Sequence, residues 1–230
     1  MASALEKNLI RLAEQDRDLA EQVQAAPVSR HAEVFAARSG EMTAVVDGIS
    51  LHSRFDPIAE AEKWANAAWA MVKNAGDKEP VVFGFGLGYH VLALVQNMDL
   101  LRVIEPRLDI LKLAFSYTDF SPVLSRLTYE TRIPAVPDRP PGILLTHTPS
   151  RSLNRTQFDL WSAFVNGRET IGDLLDAWKF LPGMSDILAC INKDKPGELS
   201  ELVSIIENRK EEMSEGETLL MLLNEFSAHQ

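Results

Sequence analysis

The sequence predicts an α/β protein built around an incomplete doubly wound parallel sheet. Three observations predict this fold class. From residue 80 onward, short apolar runs alternate with helical segments, which is typical of parallel strands joined by helical crossovers. A hairpin signal precedes these runs, and no strand pattern is visible beyond residue 153. We therefore expect an N-terminal helix and β-hairpin, then the sheet, and then a C-terminal helical tail.

Composition and charge limit the classes of partner. The 230 residues carry a net charge of −10 and are 46% apolar and 24% charged, as in ordinary globular proteins. No apolar run approaches the roughly 20 residues of a membrane span, and no signal-peptide core is visible, so we expect a cytoplasmic protein. The acidic charge disfavours nucleic acid as a partner, because its phosphates would be repelled. The single cysteine, Cys190, excludes an internal disulfide and is expected in a helical core.

The segment before the sheet predicts two helices and a hairpin. Apolar residues at a four-three-four spacing predict an amphipathic helix over 4–24. The pair Asp47-Gly48 lies between two β-rich runs and tolerates the positive φ angles of a tight hairpin turn. Asp56 is a suitable N-cap, and the proline that follows it suits the first position of a helix ending near residue 76.

The sheet is predicted from four short apolar runs. These runs cover residues 81–84, 101–105, 127–132 and 142–146. Helices are predicted over residues 89–97 and 106–117. Four of the twelve prolines fall in residues 134–141, which excludes a helix from that link.

The tail differs from the rest of the chain in charge and pattern. Residues 168–230 hold 6 basic and 13 acidic residues, and their apolar spacing is helical. We therefore divide the chain into an N-terminal helical segment (1–40), a hairpin and sheet domain (41–155) and an acidic helical tail (156–230). The apolar helix faces of the tail are expected to dock on the sheet domain, on a protein partner or on a second copy of the chain.

Most of the functional information lies in a glycine run, residues 84–90, with the sequence Gly-Phe-Gly-Leu-Gly-Tyr-His. Glycines after a strand let the chain turn sharply and let a ligand approach the main chain, and the next helix points free N–H groups at that ligand. The third glycine of a dinucleotide fingerprint would fall on Tyr89, and no Lys-Ser or Lys-Thr pair follows for a phosphate loop. The alternative is a glycine turn that serves packing and binds nothing. The expected contacts to a nucleotide-type ligand are Gly84, Gly86, Gly88, Tyr89 and His90.

Glu105, at the end of the second predicted strand, completes this pattern. A carboxylate there accepts the two hydroxyls of a ribose. A glycine triplet followed by an acid 17 residues after Gly88 resembles motifs I and II of S-adenosylmethionine-dependent methyltransferases. The resemblance implies a Rossmann-like, methyltransferase-like sheet with S-adenosylmethionine as the ligand. That family has more strands, and no Asn/Asp-Pro-Pro-Tyr motif is present, so methyltransferase activity is the alternative rather than the leading function.

A wider pattern has three parts, which are, in order, a His-Ser-Arg-Phe-Asp-Pro run from His52, the glycine run to His90, and a Val-Ile-Glu-Pro run from Val103. Together these resemble the N-terminal region of the motility-associated factor family, bacterial proteins implicated in flagellin glycosylation with nonulosonic acids. The resemblance covers about residues 40–155. In that family the transferase chemistry lies in a downstream domain with a Gly-x-Gly-Pro-Ser-Leu-type loop, which this sequence lacks.

The resemblance therefore implies an accessory or ligand-binding protein that stands without the transferase domain and acts with protein partners in surface glycosylation. A methyltransferase and a purely structural assembly module are the two alternatives. The sequence does not decide whether the protein is an enzyme. The ligand expected from the motifs is S-adenosylmethionine or another nucleotide-type compound.

A second candidate site lies before the helix that Asp56 opens. His52, Ser53 and Arg54 are candidate contacts to a phosphate or carboxylate, because an arginine beside free helix N–H groups suits an anion. The alternative is that Ser53 or Asp56 caps the helix and Arg54 is solvated. His147, after the fourth strand, is a weaker candidate that could reach the crevice of the glycine run. The five histidines are scattered without metal-ligand spacing, so we predict no metal site.

Overall fold

The computed structural model describes residues 2–27, 31–131 and 142–166. The proline-rich link and most of the predicted tail, with Cys190, lie outside the described residues. The chain divides into two compact units, Met1–Arg132 with Pro141–Phe158 and Ile133–Pro140 with Asp159–Gln230. The domain boundaries at residues 40 and 155 stay predictions. Among the described helices, none has the length and apolarity to cross a membrane.

Two helices open the chain, α1 (Ala4–Ala13) and α2 (Arg17–Ala25). The prediction of one helix over 4–24 is therefore wrong. Asp16 has an extended backbone, and its Oδ1 accepts a hydrogen bond from the Leu19 N–H at 2.9 Å, so it caps α2 and interrupts the helix. The apolar spacing continues across the break because both helices pack into the same core.

A three-stranded antiparallel sheet follows these helices. Its strands are β1 (Ala32–Ala36), β2 (Met42–Val46) and β3 (Ile49–Ser50). The predicted hairpin is present, because Val46 pairs with Ile49 across a turn in which Asp47 and Gly48 have φ angles of 49° and 79°. Strand β1 pairs with β2 and was not predicted from the sequence.

Helix α3 (Pro57–Asn74) begins as predicted. Asp56 is its N-cap, and the Asp56 Oδ1 accepts a hydrogen bond from the Ala59 N–H at 2.9 Å. Ser53 has a different role, because its hydroxyl accepts hydrogen bonds from the N–H groups of Phe55 and Asp56 and so shapes the turn before the helix. Of the two caps left open by the sequence, Asp56 is the one observed.

We expect Asp56→Ala to lower the free energy of unfolding by about 1 kcal/mol, because the Ala59 N–H loses its acceptor. Urea denaturation measures the effect. Asp77→Ala is the matched control, since Asp77 is an exposed aspartate beyond the end of the helix and surface changes of this kind stay within about 0.5 kcal/mol. Equal losses in the two variants would contradict the capping role.

The second sheet has four parallel strands in the order β6-β5-β4-β7. They are β4 (Pro80–Phe83), β5 (Leu101–Ile104), β6 (Leu127–Glu130) and β7 (Ile143–Thr146). All four predicted strands are confirmed, as is the α/β, Rossmann-like fold class. The chain moves from β4 outward through β5 to β6 and then crosses to β7 on the other side of β4. The sheet therefore has its topological switch point between β4 and β7, where ligands of open α/β sheets bind.

This sheet is flanked by α4 (Tyr89–Val95), α5 (Leu108–Tyr117) and α6 (Thr148–Leu153). Helix α7 (Arg155–Val165) follows α6 in the chain. The buried amide of Asn8 joins α1 to the last turn of α5 and to the segment that follows it. The amide donates to the carbonyl oxygens of Phe115 and Thr118 at 3.0 and 2.7 Å and accepts from the Phe120 N–H at 2.8 Å. This contact positions Phe120 beside the glycine run.

Candidate functional site

The glycine run joins β4 to α4 at the switch point of the sheet. Residues 84–90 are all buried. Gly84, Gly86 and Gly88 have φ angles of 93°, 52° and 81°, which L side chains disfavour. The Gly88 N–H donates to the Phe85 carbonyl at 2.7 Å and closes the turn before α4. The glycines are thus required by the backbone, whatever else they do.

A side chain of the same unit lies against each of these glycines. The closest side-chain atom to a Cβ built on Gly84 is Ser150 Cβ at 2.1 Å, and on Gly88 it is Phe120 Cζ at 2.3 Å. At Gly86 two atoms are equally close, His147 Cε1 and His52 Nε2, both at 2.9 Å. The space in the direction of each missing side chain is therefore occupied by protein atoms. Ligand contacts at the predicted residues stay a prediction.

Glu105 binds the glycine run itself. Its buried carboxylate accepts hydrogen bonds from the Phe85 N–H at Oε2, 2.8 Å, and from the Arg107 N–H at Oε1, 3.0 Å. Burial raises the pKa of Glu105 to about 7, although both hydrogen bonds act in the opposite direction. Its predicted role as an acceptor for ribose hydroxyls stays a prediction, and both of its oxygens already have partners.

Three histidines that are far apart in the sequence meet above Gly86. His52 follows β3, His90 lies in the first turn of α4, and His147 follows β7. The ring centroids of His90 and His147 are 4.2 Å apart with the planes inclined by 12°, and the His52 ring lies 5.7 and 5.0 Å from them. One ring nitrogen of each residue lies within 4.8 Å of those of the other two. These three histidines are scattered along the sequence but lie close together in the fold. The absence of a metal site stays a prediction.

His52 is held from both ring nitrogens. Its Nε2 accepts a hydrogen bond from the Leu87 N–H at 3.0 Å, and its Nδ1 lies 3.6 Å from Glu60 Oε2. The hydrogen bond with His52 lowers the pKa of Glu60. The Ser53 N–H donates to the same carboxylate oxygen at 2.7 Å. Glu60 therefore orients His52 from the start of α3.

His90 and His147 are neutral in the folded chain. Burial lowers the pKa of His90 to about 3, and burial lowers that of His147 well below its ordinary value. His90 Nε2 lies 2.9 Å from the Gly84 carbonyl, which accepts only an N–H, so the His90 lone pair is on Nδ1. His147 Nδ1 lies 2.8 Å from the Ser150 hydroxyl, and the ring also hydrogen-bonds the Leu51 backbone.

The remaining predicted residues lie apart from one another. The Tyr89 hydroxyl donates to the Met42 carbonyl at 2.9 Å and so fastens α4 to the antiparallel sheet. The guanidinium of the exposed Arg54 lies over the Phe35 ring at 5.6 Å, whereas His52 is buried in the histidine cluster. The structure therefore brings His52 together with His90 and not with Arg54. An anion contact at these residues stays a prediction.

Four residues of the site have no signal in the sequence. Ser150 and Phe120 fill the space beside the glycines, and Glu60 orients His52. The Trp64 ring meets His90 edge to face at 4.8 Å, and its Nε1 donates to the Thr146 carbonyl at 3.2 Å. Each residue acts through a contact between distant segments, so local patterns did not reveal them.

A family model described as the glycosyltransferase Maf N-terminal domain matches residues 7–133. That match spans more than half of the chain. The chain belongs to the Maf N-terminal domain family. The predicted resemblance to motility-associated factors is thereby confirmed at the level of the family, and the matched region begins within α1 rather than near residue 40.

A solved structure is also similar to this Maf-family chain. It is the Maf glycosyltransferase from Magnetospirillum magneticum AMB-1, with 14% identity and a TM-score of 0.43 over 70% of this chain and 35% of that one. The chain thus spans about a third of the length of that glycosyltransferase. No curated protein matches the chain.

Proposed function

We propose that this chain is an accessory, non-catalytic Maf N-terminal domain that acts with a glycosyltransferase in flagellin glycosylation. The observation that carries the proposal is the contact of a side chain with each glycine of the run, at 2.1 to 2.9 Å from the position of an added Cβ. Membership of the family supports the link to glycosyl transfer. The chain contributes a folded partner surface, and no nucleotide-type cofactor binds at its glycine run.

The packing of the glycine run supports this role. A dinucleotide or S-adenosylmethionine site needs main-chain N–H groups that face an open crevice. Here Phe120 lies against Gly88, the N-cap of α4, and Ser150 lies against Gly84. A ligand at the main chain would have to displace both side chains.

The environment of Glu105 supports the same conclusion. Ribose hydroxyls would compete with two backbone N–H groups for its oxygens. Because burial raises the pKa of Glu105 to about 7, this carboxyl keeps its proton to a higher pH than an ordinary glutamate does. An uncharged acid accepts ribose hydroxyls less strongly than a carboxylate does.

Calorimetric titration tests the absence of a cofactor. We expect no heat of binding when S-adenosylmethionine, S-adenosylhomocysteine or a panel of nucleotide sugars is added to the full chain. Binding of S-adenosylmethionine at micromolar concentration that Glu105→Ala abolishes would overturn the proposal in favour of a methyltransferase. Glu62→Ala is the matched control, because Glu62 is an exposed glutamate on α3.

Mass spectrometry of flagellin tests the accessory role. We expect deletion of the coding region in the source organism to remove or reduce the glycan mass on flagellin. A copy carrying Glu105→Gln is expected to restore it, because no reaction depends on this carboxylate. Unchanged flagellin after the deletion would favour the structural assembly module, and failure of a folded Glu105→Gln chain to restore the glycan would favour a catalytic role.

A further inference from the structure

We propose that His52, His90 and His147 form a binding site for one divalent transition-metal ion of the zinc type. The cluster brings one ring nitrogen from each of three buried residues to within 4.8 Å of the others. It lies at the switch point of the sheet, and its members come from three separate segments of the chain. The proposal does not depend on the accessory role in glycosylation.

The donor set suits such an ion. Neutral imidazole is a common ligand of Zn²⁺, Cu²⁺ and Ni²⁺, and three histidines with an open fourth position form one of the known zinc arrangements. Hard cations such as Mg²⁺ and Ca²⁺ prefer oxygen donors, and the cluster offers nitrogen. Each histidine is at most 5% exposed, so the site would be shielded from bulk solvent.

The nitrogen of each ring that would face away from the metal already has a suitable partner. His52 Nδ1 faces the Glu60 carboxylate at 3.6 Å, and His90 Nε2 faces the Gly84 carbonyl at 2.9 Å. His147 hydrogen-bonds the Leu51 backbone. Metal-bound histidines donate their second N–H to a carboxylate or a backbone carbonyl in this way, which fixes the tautomer and the ring orientation.

The nitrogens that would bind a metal are His52 Nε2, His90 Nδ1 and His147 Nδ1. The first now accepts from the Leu87 N–H and the last pairs with the Ser150 hydroxyl. His90 Nδ1 is buried and has no hydrogen-bond partner among the described residues. His52 Nε2 and His147 Nδ1 lie 2.9 and 3.4 Å from a single point, the position that a Cβ on Gly86 would take. His147 Cε1 also lies 2.9 Å from that point, so a side chain at residue 86 would collide with both rings. Glycine there lets the two rings lie close together over the main chain, and His90 Nδ1 has an unused lone pair.

Binding would tighten the cluster. Metal–nitrogen bonds of about 2.0–2.1 Å in a tetrahedral site place two nitrogens about 3.3 Å apart. The nitrogens must therefore approach by up to about 1.5 Å, and the stacked rings of His90 and His147 must turn away from parallel. On binding, His52 Nε2 would give up its hydrogen bond with the Leu87 N–H, and His147 Nδ1 would give up its hydrogen bond with the Ser150 hydroxyl. The free energy gained from three metal–imidazole bonds is larger than that lost with two neutral hydrogen bonds.

Metal analysis of the full chain tests the site. The protein is stripped of metal with EDTA, incubated with Zn²⁺ and passed through gel filtration, and we expect it to retain one equivalent of Zn²⁺. When Co²⁺ is added instead, we expect the visible absorption bands of a tetrahedral nitrogen site. His90→Gln and His147→Asn are expected to lose the retained metal and the Co²⁺ bands. His31→Gln is the matched control, because His31 is exposed and lies outside the cluster. Circular dichroism checks that each variant is folded.

A second variant separates a metal site from a merely structural cluster. Glu60→Gln, which weakens the partner of His52 Nδ1, is expected to reduce Zn²⁺ affinity by about 10- to 100-fold, whereas Glu62→Gln leaves it unchanged. If the histidine variants fail to fold, X-ray absorption at the zinc edge of the wild-type chain decides the question, with imidazole nitrogen as the expected ligand. No metal retained by the wild type, metal retained undiminished by folded histidine variants, or an oxygen-only ligand shell would overturn the proposal.

Discussion

Replacing Gly84 by alanine is expected to lower the free energy of unfolding by about 4 kcal/mol. Gly84 has a φ angle of 93°, and positive φ costs an L residue about 1–2 kcal/mol. The new Cβ would also lie 2.1 Å from Ser150 Cβ, and overpacking of this kind costs about 1–3 kcal/mol more. The neighbouring atom belongs to α6, whose backbone must move to relieve the contact.

Gly76→Ala is the matched control for this substitution. Gly76 has a φ angle of 67° and nothing within 4 Å of an added Cβ, so alanine there meets the backbone cost alone. We expect a loss of about 1 kcal/mol at Gly76, and urea denaturation followed by tryptophan fluorescence measures both variants. Equal losses would show that the contact with Ser150 is not the source of the effect.

A double-mutant cycle gives the contact term directly. In the Gly84→Ala, Ser150→Gly chain the Ser150 Cβ and Oγ atoms that the new alanine would meet are absent. We therefore expect this chain to be about 2 kcal/mol more stable than the sum of the two single losses predicts. The Ser150→Gly single variant is needed as the reference, because it removes the hydrogen bond with His147. Strict additivity would contradict the close packing of the glycine run.

The parallel sheet was predictable because each of its strands is a short, nearly continuous apolar run. Strands covered on both faces need such runs, and the two central strands, β4 and β5, are almost wholly buried. The hairpin was predictable because few pairs other than Asp47-Gly48 accept its turn geometry. Strand β1 was not predictable, since it is only half buried and its pattern does not alternate. The break before α2 was hidden because the apolar spacing continues past Asp16.

The position of the site at the edge of the sheet was predictable from the sequence, and the side chains that meet there were not. A glycine run after a central strand lies at the carboxyl edge of the sheet in any doubly wound fold. The meeting of His52, His90 and His147 depends on β7 pairing with β4, a strand order that no local pattern specifies. The contacts of Ser150 and Phe120 with the glycines depend on the same order and on side-chain packing.

Glu105 is expected to make the free energy of unfolding fall as the pH rises from about 4.5 to about 7. Burial raises its pKa from 4.5 to about 7 in the folded chain, so in this window the folded state keeps a proton that the unfolded chain releases. Stability then falls by about 1.4 kcal/mol per pH unit, or about 3 kcal/mol across the window. The stability that the protonated Glu105 contributes is fully present below pH 4.5 and is lost above pH 7. The charges of Arg107 and Asp109 act on Glu105 in opposite directions.

Glu105→Gln isolates this effect. The variant has no group to ionise at this position, so its stability relative to the wild type is expected to improve by about 3 kcal/mol between pH 4.5 and pH 7.5. A constant loss of about 1–3 kcal/mol accompanies it, because a glutamine amide cannot accept from both the Phe85 and the Arg107 N–H groups. The opposite pH effects of the buried histidines His90 and His147 are common to both chains and cancel in the comparison.

Urea denaturation at several pH values measures the difference between the two chains, with Glu62→Gln as the exposed control. A difference that does not change with pH, or that changes in the opposite direction, would show that the hydrogen bonds from Phe85 and Arg107 outweigh burial and keep Glu105 ionised. That outcome would also reopen its use as a ribose acceptor, because such a site needs a charged carboxylate at neutral pH. The same titration therefore bears on both the stability of the glycine run and the absence of a nucleotide there.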